Sequence, residues 1–155
     1  MPRPTVLART QNVTVASWSN LCIAIVRDEL RIEDVEAVRR TYQAFAAEKD
    51  KGFVSVIVAM PNVGMPSEEA RKIIPDIMRG IEDRMLAMVG VLESTGFKAA
   101  AVRSAMAVMS MLARTSYPRK IAASIHEVAP WISGHVQPAA TREQIEEAVE
   151  EAKKL

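Results

Sequence analysis

Residues 53–71, FVSVIVAMPNVGMPSEEAR, constrain the fold more than any other stretch of the chain. The run Phe53–Ala59 is almost wholly apolar and rich in β-branched side chains, the pattern of a central parallel strand covered on both faces. Two prolines and a glycine between Pro61 and Pro66 stop either strand or helix from continuing. Ser67 then stands where an N-cap belongs, and Glu68 and Glu69 complement the positive end of the helix dipole that starts there. A strand passing through such a loop into a helix is half of a crossover unit. In open α/β sheets, ligands and partners meet the loops at strand carboxyl ends.

The flanking segments repeat the theme. Residues 1–11, with Pro2 and Pro4, read as an irregular lead-in. Asn12–Trp18 alternates in polarity and Leu21–Val26 is continuously apolar, so the two form an antiparallel hairpin around Ser19-Asn20. Glu33–Asp50 carries Val35, Val38, Tyr42 and Phe45 on one helical stripe, with Gly52 closing it. A second helix is expected from Ser67 to about Arg84, kinked at Pro75, where the ring removes a backbone hydrogen bond. Leu86–Leu92 is another buried strand, in which Gly90 permits close approach of a helix. Phe97–Thr115 is a third helix, with Val102, Ala105, Met106, Met109, Leu112 and Ala113 in helical rhythm. A short strand, Lys120–Ala123, precedes a capping box at Ser124 and Glu127 and a helix ending at Gly134. A second capping box, Thr141 and Gln144, opens a terminal helix that packs on its own domain or on a neighbouring chain.

Alternating short strands and helices imply crossover connections and a mostly parallel sheet. The expected architecture is a single α/β domain over residues 12–133, with an N-terminal antiparallel hairpin and four to five helices. Residues 134–155 are a C-terminal helical extension.

A chain of 155 residues buries enough surface to fold without a metal or disulfide. A net charge of +1 provides no electrostatic case for nucleic acid or an anionic membrane. The single cysteine, Cys22, lies in an apolar run; it suits a reduced, cytoplasmic setting and an inert role. The opening MPRPTVLART lacks the apolar core of a signal peptide, and no apolar run is long enough to span a membrane.

No residues assemble into a recognisable catalytic, cofactor-binding or metal-binding pattern. His126 and His135 have no ligand partners at metal-site spacing. Glu68, Glu69 and Asp76 belong to a helix surface. No cofactor is expected. The loop Glu93–Lys98 feeds a helix N-terminus and lacks the G-x-x-x-x-G-K-[ST] spacing of a phosphate loop. Phe97 reads as the first core contact of its helix, or else as an exposed anchor. The methionines of the third helix read as core, with a small apolar pocket lined by Met106 and Met109 as the alternative.

The strands through Val26, the segment FVSVIVAMPNVGMPSEEAR, the segment ESTGFKAAAVRSAM and the closing SYPRKIAASIHEVAPWI together resemble the STAS-like family, the fold of bacterial anti-sigma-factor antagonists. The resemblance implies a non-enzymatic, regulatory protein-interaction module. In that family the loop and helix start after a central strand present a phosphorylatable serine, which corresponds here to Ser67. Pro66 stands in place of the aspartate that commonly precedes it, and Glu68-Glu69 follow, so two carboxylates would repel a phosphate. What carries over is a partner-facing surface. The candidate contact residues are Asn62, Ser67, Glu68, Ser94, Phe97 and Lys98. The partner is another protein, or a second copy in a homodimer, with no nucleic acid and no membrane insertion. The alternative function is binding of a small apolar ligand or lipid.

Overall fold

The computed structural model describes residues 1–136 and 138–155. Among them, six strands form one sheet in strictly sequential order. Strands β1 (Thr5–Arg9), β2 (Val13–Trp18) and β3 (Leu21–Val26) make an antiparallel meander. From β3 onward, β4 (Phe53–Ala59), β5 (Met85–Leu92) and β6 (Arg119–Ala122) run parallel. The α/β architecture with its N-terminal hairpin is therefore present as expected.

The lead-in is a correction. Thr5–Arg9 is not irregular but an edge strand paired with β2. Pro2 and Pro4 precede it and remove none of its ladder bonds. Thr5, Val6 and Leu7 are exposed, so no buried alternation marks the strand in the sequence.

The parallel strands are joined by three helices: α1 (Ile32–Glu48), α2 (Glu68–Gly80) and α3 (Phe97–Ala113). Right-handed crossovers that step always in one direction across a sheet place their helices on one face. The opposite face is covered by α4 (Ile125–Ser133) and α5 (Arg142–Lys153). The apolar stripe of α5, with Ile145, Ala148, Val149 and Ala152, is wholly buried against its own chain.

Side-chain bonds start α1, α2, α4 and α5, whereas α3 begins at Gly96 without one. The Asp34 carboxylate accepts hydrogen bonds from the Arg31 N–H (2.8 Å), Asn12 Nδ2 (2.9 Å) and Thr10 Oγ1 (2.6 Å), tying α1 to the β1–β2 turn. Ser67 Oγ accepts from the Ala70 N–H and Ser124 Oγ from the Glu127 N–H, each at 3.2 Å. Thr141 and Gln144 close a reciprocal box. Helix α2 runs through Pro75 unsplit, but it stops at Gly80; residues Glu82–Arg84 form a single 3-10 turn instead of more α-helix. Gly52 sits in the turn after α1 at φ +90°, where an added Cβ would lie 2.8 Å from the Arg84 carbonyl oxygen.

Candidate functional site

Three rows of side chains cross the parallel sheet on the face below α1–α3. They follow from the strand register: Cys22–Ser55–Met88, Ala24–Ile57–Gly90 and Val26–Ala59–Leu92. The middle row is small at both ends and the next has alanine at its centre. Helix α1 lies against the strands, whereas α2 and α3 pack chiefly on each other. Small residues below and a raised roof above leave an apolar cavity of about 160 Å³.

Its floor is Val13, Ala24, Val26, Ile57, Ala59, Met88 and Leu92. Its walls and roof include Val35 and Val38 of α1, Ile74, Ile77 and Met78 of α2, and Val102, Met106 and Met109 of α3. Val63, Gly64 and Pro66 of the β4–α2 loop complete the lining. Met106 lies over Gly90: a Cβ there would come within 2.6 Å of the Met106 methyl carbon. The expected close approach of a helix at Gly90 is thus made by a flexible thioether rather than by backbone. Met106 and Met109, read from the sequence as core with a pocket lining as the alternative, both stand in the lining.

Polar bonds tie the roof together and fasten it to the chain entering β6. Tyr117 Oη donates to the Met78 carbonyl at 3.1 Å, and Arg79 Nη1 donates to the Leu112 carbonyl at 2.9 Å. The Glu82 carboxylate accepts from the N–H and hydroxyl of Ser116 at 2.6 and 2.7 Å. These bonds link α2 and the turn after it to α3 and the chain leading into β6.

The lining is close to uncharged. Its polar side-chain groups are the hydroxyls of Tyr42 and Ser110. Tyr42 Oη and Ser55 Oγ are 2.5 Å apart and both residues are buried. Burial pushes the Tyr42 phenol far above its ordinary value, with a smaller contribution from the neighbouring Cys22. Burial likewise pushes the Cys22 thiol up to about 12. At neutral pH the Tyr42 phenol in the lining is neutral, and the Cys22 thiol, buried outside the lining, is neutral and a poor nucleophile.

The structure brings three of the six candidate contact residues together. The Asn62 N–H donates to Ser94 Oγ at 2.8 Å, and Lys98 Nζ donates to the Asn62 carbonyl at 2.6 Å. These bonds lace the loops after β4 and β5. Asn62 adopts φ +72°, a conformation asparagine tolerates better than most residues. Ser67 and Glu68 do not join the cluster. Ser67 caps α2 and donates its N–H to the Leu30 carbonyl at 2.8 Å. Glu68 is exposed, with Lys72 Nζ 3.6 Å from its carboxylate.

Phe97 corrects the expectation of a core contact, being 97% exposed. It lies five residues before buried Val102, which at about 100° per residue places it on the far side of the helix. His126 pairs with Glu146 at 2.9 Å, and His135 Nδ1 lies 3.0 Å from the Trp131 carbonyl. Among the described residues, no three His, Cys, Asp or Glu side chains cluster to hold a metal. None of the described helices is long and apolar enough to cross a membrane.

Sequence reasoning missed the contribution of α1 and of the Tyr42–Ser55 pair. Their signal lay in the stripe Val35, Val38, Tyr42, which reads equally well as solid core.

No protein-family model, no curated protein and no solved structure matches the chain.

Proposed function

We propose that this chain is a non-enzymatic domain that binds a small, uncharged, apolar molecule between its sheet and helices α1–α3. The observation that carries the reading is the cavity of about 160 Å³ with an almost wholly hydrocarbon lining. Engineered cavities of about 150 Å³ with similar walls stay dry and accept benzene. Drug-sized ligands need roughly 300 Å³ or more, so the occupant is a small aromatic or a short branched chain. Met78, Met106 and Met109 provide walls that adapt in shape. The Tyr42–Ser55 pair offers one end a hydroxyl group without a charge.

The test is a thermal-shift and NMR series with benzene, toluene and isobutylbenzene, with benzoate as the charged control. Saturating neutral probes raise the melting temperature and shift the Met106 and Met109 methyl resonances, while benzoate does neither. If neutral probes leave both readouts unchanged, the reading is wrong.

A second reading rests on a separate observation. The two loops at the carboxyl ends of β4 and β5 are fastened together through Asn62, Ser94 and Lys98. A rigid loop pair there supports a STAS-like regulatory module that docks a protein partner in a cytoplasmic, reducing setting. Lys98→Ala together with Ser94→Ala should unfasten the loops and weaken capture of such a partner. Unchanged capture would remove this reading and leave the cavity reading intact.

A further inference from the structure

Helix α3 has two apolar faces. One, through Val102, Met106 and Met109, lines the cavity. The other is open to solvent: Phe97 is 97% exposed, Met111 74%, Leu112 59% and Val108 55%. Between these large side chains, Ala100, Ala101, Ser104 and Ala107 are exposed as well. At about 100° per residue, Phe97, Ala100, Ala101, Ser104, Ala107, Val108 and Met111 all fall within about 60° of the Ser104 direction. No charged residue lies in that sector. Lys98, Arg103 and Arg114 lie at its flanks or beyond.

The sector has a symmetry of its own. Counting outward from Ser104, position −7 is Phe97 and +7 is Met111; −4 is Ala100 and +4 is Val108; −3 is Ala101 and +3 is Ala107. Small side chains occupy the middle and the largest ones, Phe97 and Met111, the ends; Val108 opposite Ala100 is the one unequal pair. That profile suits two helices that cross. Their axes are closest at the crossing point, where only small residues fit, and they diverge about 10 Å away, seven residues at 1.5 Å each, where large residues fill the gap. An isologous dimer requires one patch to complement itself about a two-fold axis.

We infer that the outer face of α3 is a homodimer interface, in which α3 crosses its counterpart antiparallel about Ser104. Phe97 of one protomer meets Met111 of its partner, and the two Ser104 residues face each other. The face is about 21 Å long and one helix wide, far short of the roughly 800 Å² per partner of a standard stable interface. The dimer is therefore weak and concentration-dependent. The Arg103 and Arg114 guanidiniums, exposed and unpaired among the described residues, come to the flanks as like charges. Added salt screens them and strengthens association; a docked anionic surface would show the reverse. This interface lies across the helix from the cavity, so the two proposals fail separately.

The experiment uses exposed positions, where substitution leaves the core untouched. Sedimentation of the whole chain from 10 μM to 1 mM should show reversible dimer formation that increases with salt. Phe97→Lys alone and Met111→Glu alone should each weaken it at least tenfold. The double variant should regain association, because the introduced ammonium of one chain would meet the introduced carboxylate of the other. Ser104→Cys should form an intermolecular disulfide under oxidised glutathione far faster than Lys72→Cys, with buried Cys22 silent in the parent chain. A parent chain monomeric at 1 mM, a double variant no better than the singles, or equal crosslinking of the two cysteine variants overturns the inference. So does binding of the monomer to anionic phospholipid vesicles that Phe97→Lys leaves at full strength or enhances, without any dimer.

Discussion

Replacing Ala24 with valine tests the cavity directly. Ala24 is 1% exposed, sits at the centre of β3 and forms part of the cavity floor. A cavity of about 160 Å³, at about 24 cal/mol per Å³, represents at most about 4 kcal/mol of forgone stability. Valine adds two carbons, worth about 1.6 kcal/mol of transfer at about 0.8 kcal/mol each. A few tenths are lost to side-chain ordering, and the β-branched shape suits a strand. The net expectation is about 1–1.5 kcal/mol of added stability, or roughly 3–5 °C in melting temperature for a chain of this size. Urea unfolding should show a higher midpoint at unchanged slope. The same variant should bind benzene more weakly, so the ligand-dependent rise in melting temperature shrinks as the intrinsic one grows. Two results would refute the reasoning. Destabilisation by about 1–3 kcal/mol would mean the floor is already close-packed and valine overpacks it. Stabilisation with undiminished benzene binding would mean the probe sits elsewhere.

Three further outcomes follow from other contacts. Gly90→Ala places its methyl against the mobile end of Met106; stability should change by less than about 1 kcal/mol, while the displaced thioether enters the cavity and lowers probe affinity, read by calorimetry. Tyr42→Phe leaves the buried Ser55 hydroxyl unpaired and should cost about 1–3 kcal/mol, of which the double variant with Ser55→Ala recovers a large part in a double-mutant cycle. Asp34 gives a pH signature. Burial pushes its carboxyl up, but the bonds from Asn12, Thr10 and the Arg31 N–H outweigh that and hold it below the ordinary carboxylate value. A folded-state value below the unfolded one contributes stability that is fully present above the unfolded value and is lost as pH falls through the folded one. Asp34→Asn should therefore be less stable at pH 7, and the gap to the parent should narrow towards pH 2 in urea titrations.

What the sequence made legible is what local chemistry decides. The caps at Ser67, Ser124 and Thr141 depend on residues three apart, and β4 announces itself by a run that is apolar but for Ser55. β1 is silent because an edge strand with exposed side chains has no burial to encode. Phe97 misled because apolar character says how a residue prefers to be placed, not which side of a helix its own position commands. The cavity stood between these cases. Met106 and Met109 raised it, but its floor exists only because register sets Ala24 beside Ile57 and Ile57 beside Gly90, pairings 33 residues apart in each step. No window along the chain contains that information.

Why the space stays open is a matter of the roof. Close packing is the rule in protein interiors, and a forgone 4 kcal/mol or so is large against a total stability of roughly 5–15 kcal/mol. Collapse would require α2 and α3 to sink together toward the sheet. The bonds from Tyr117 to Met78 and from Ser116 to Glu82, which tie α2 and the turn after it to the chain entering β6, would have to break or stretch first, while the Arg79–Leu112 bond makes the two helices move as one. At the other end the Lys98–Asn62–Ser94 lacing fixes the loops that feed both helices. Each direct bond contributes only about 0.5–1.5 kcal/mol, or up to about 3 where one partner is charged. Acting together they are comparable to what collapse would gain. The methionines then fill what they reach by rotating, and the remaining volume is available to a small apolar guest that recovers the stability the fold leaves unclaimed.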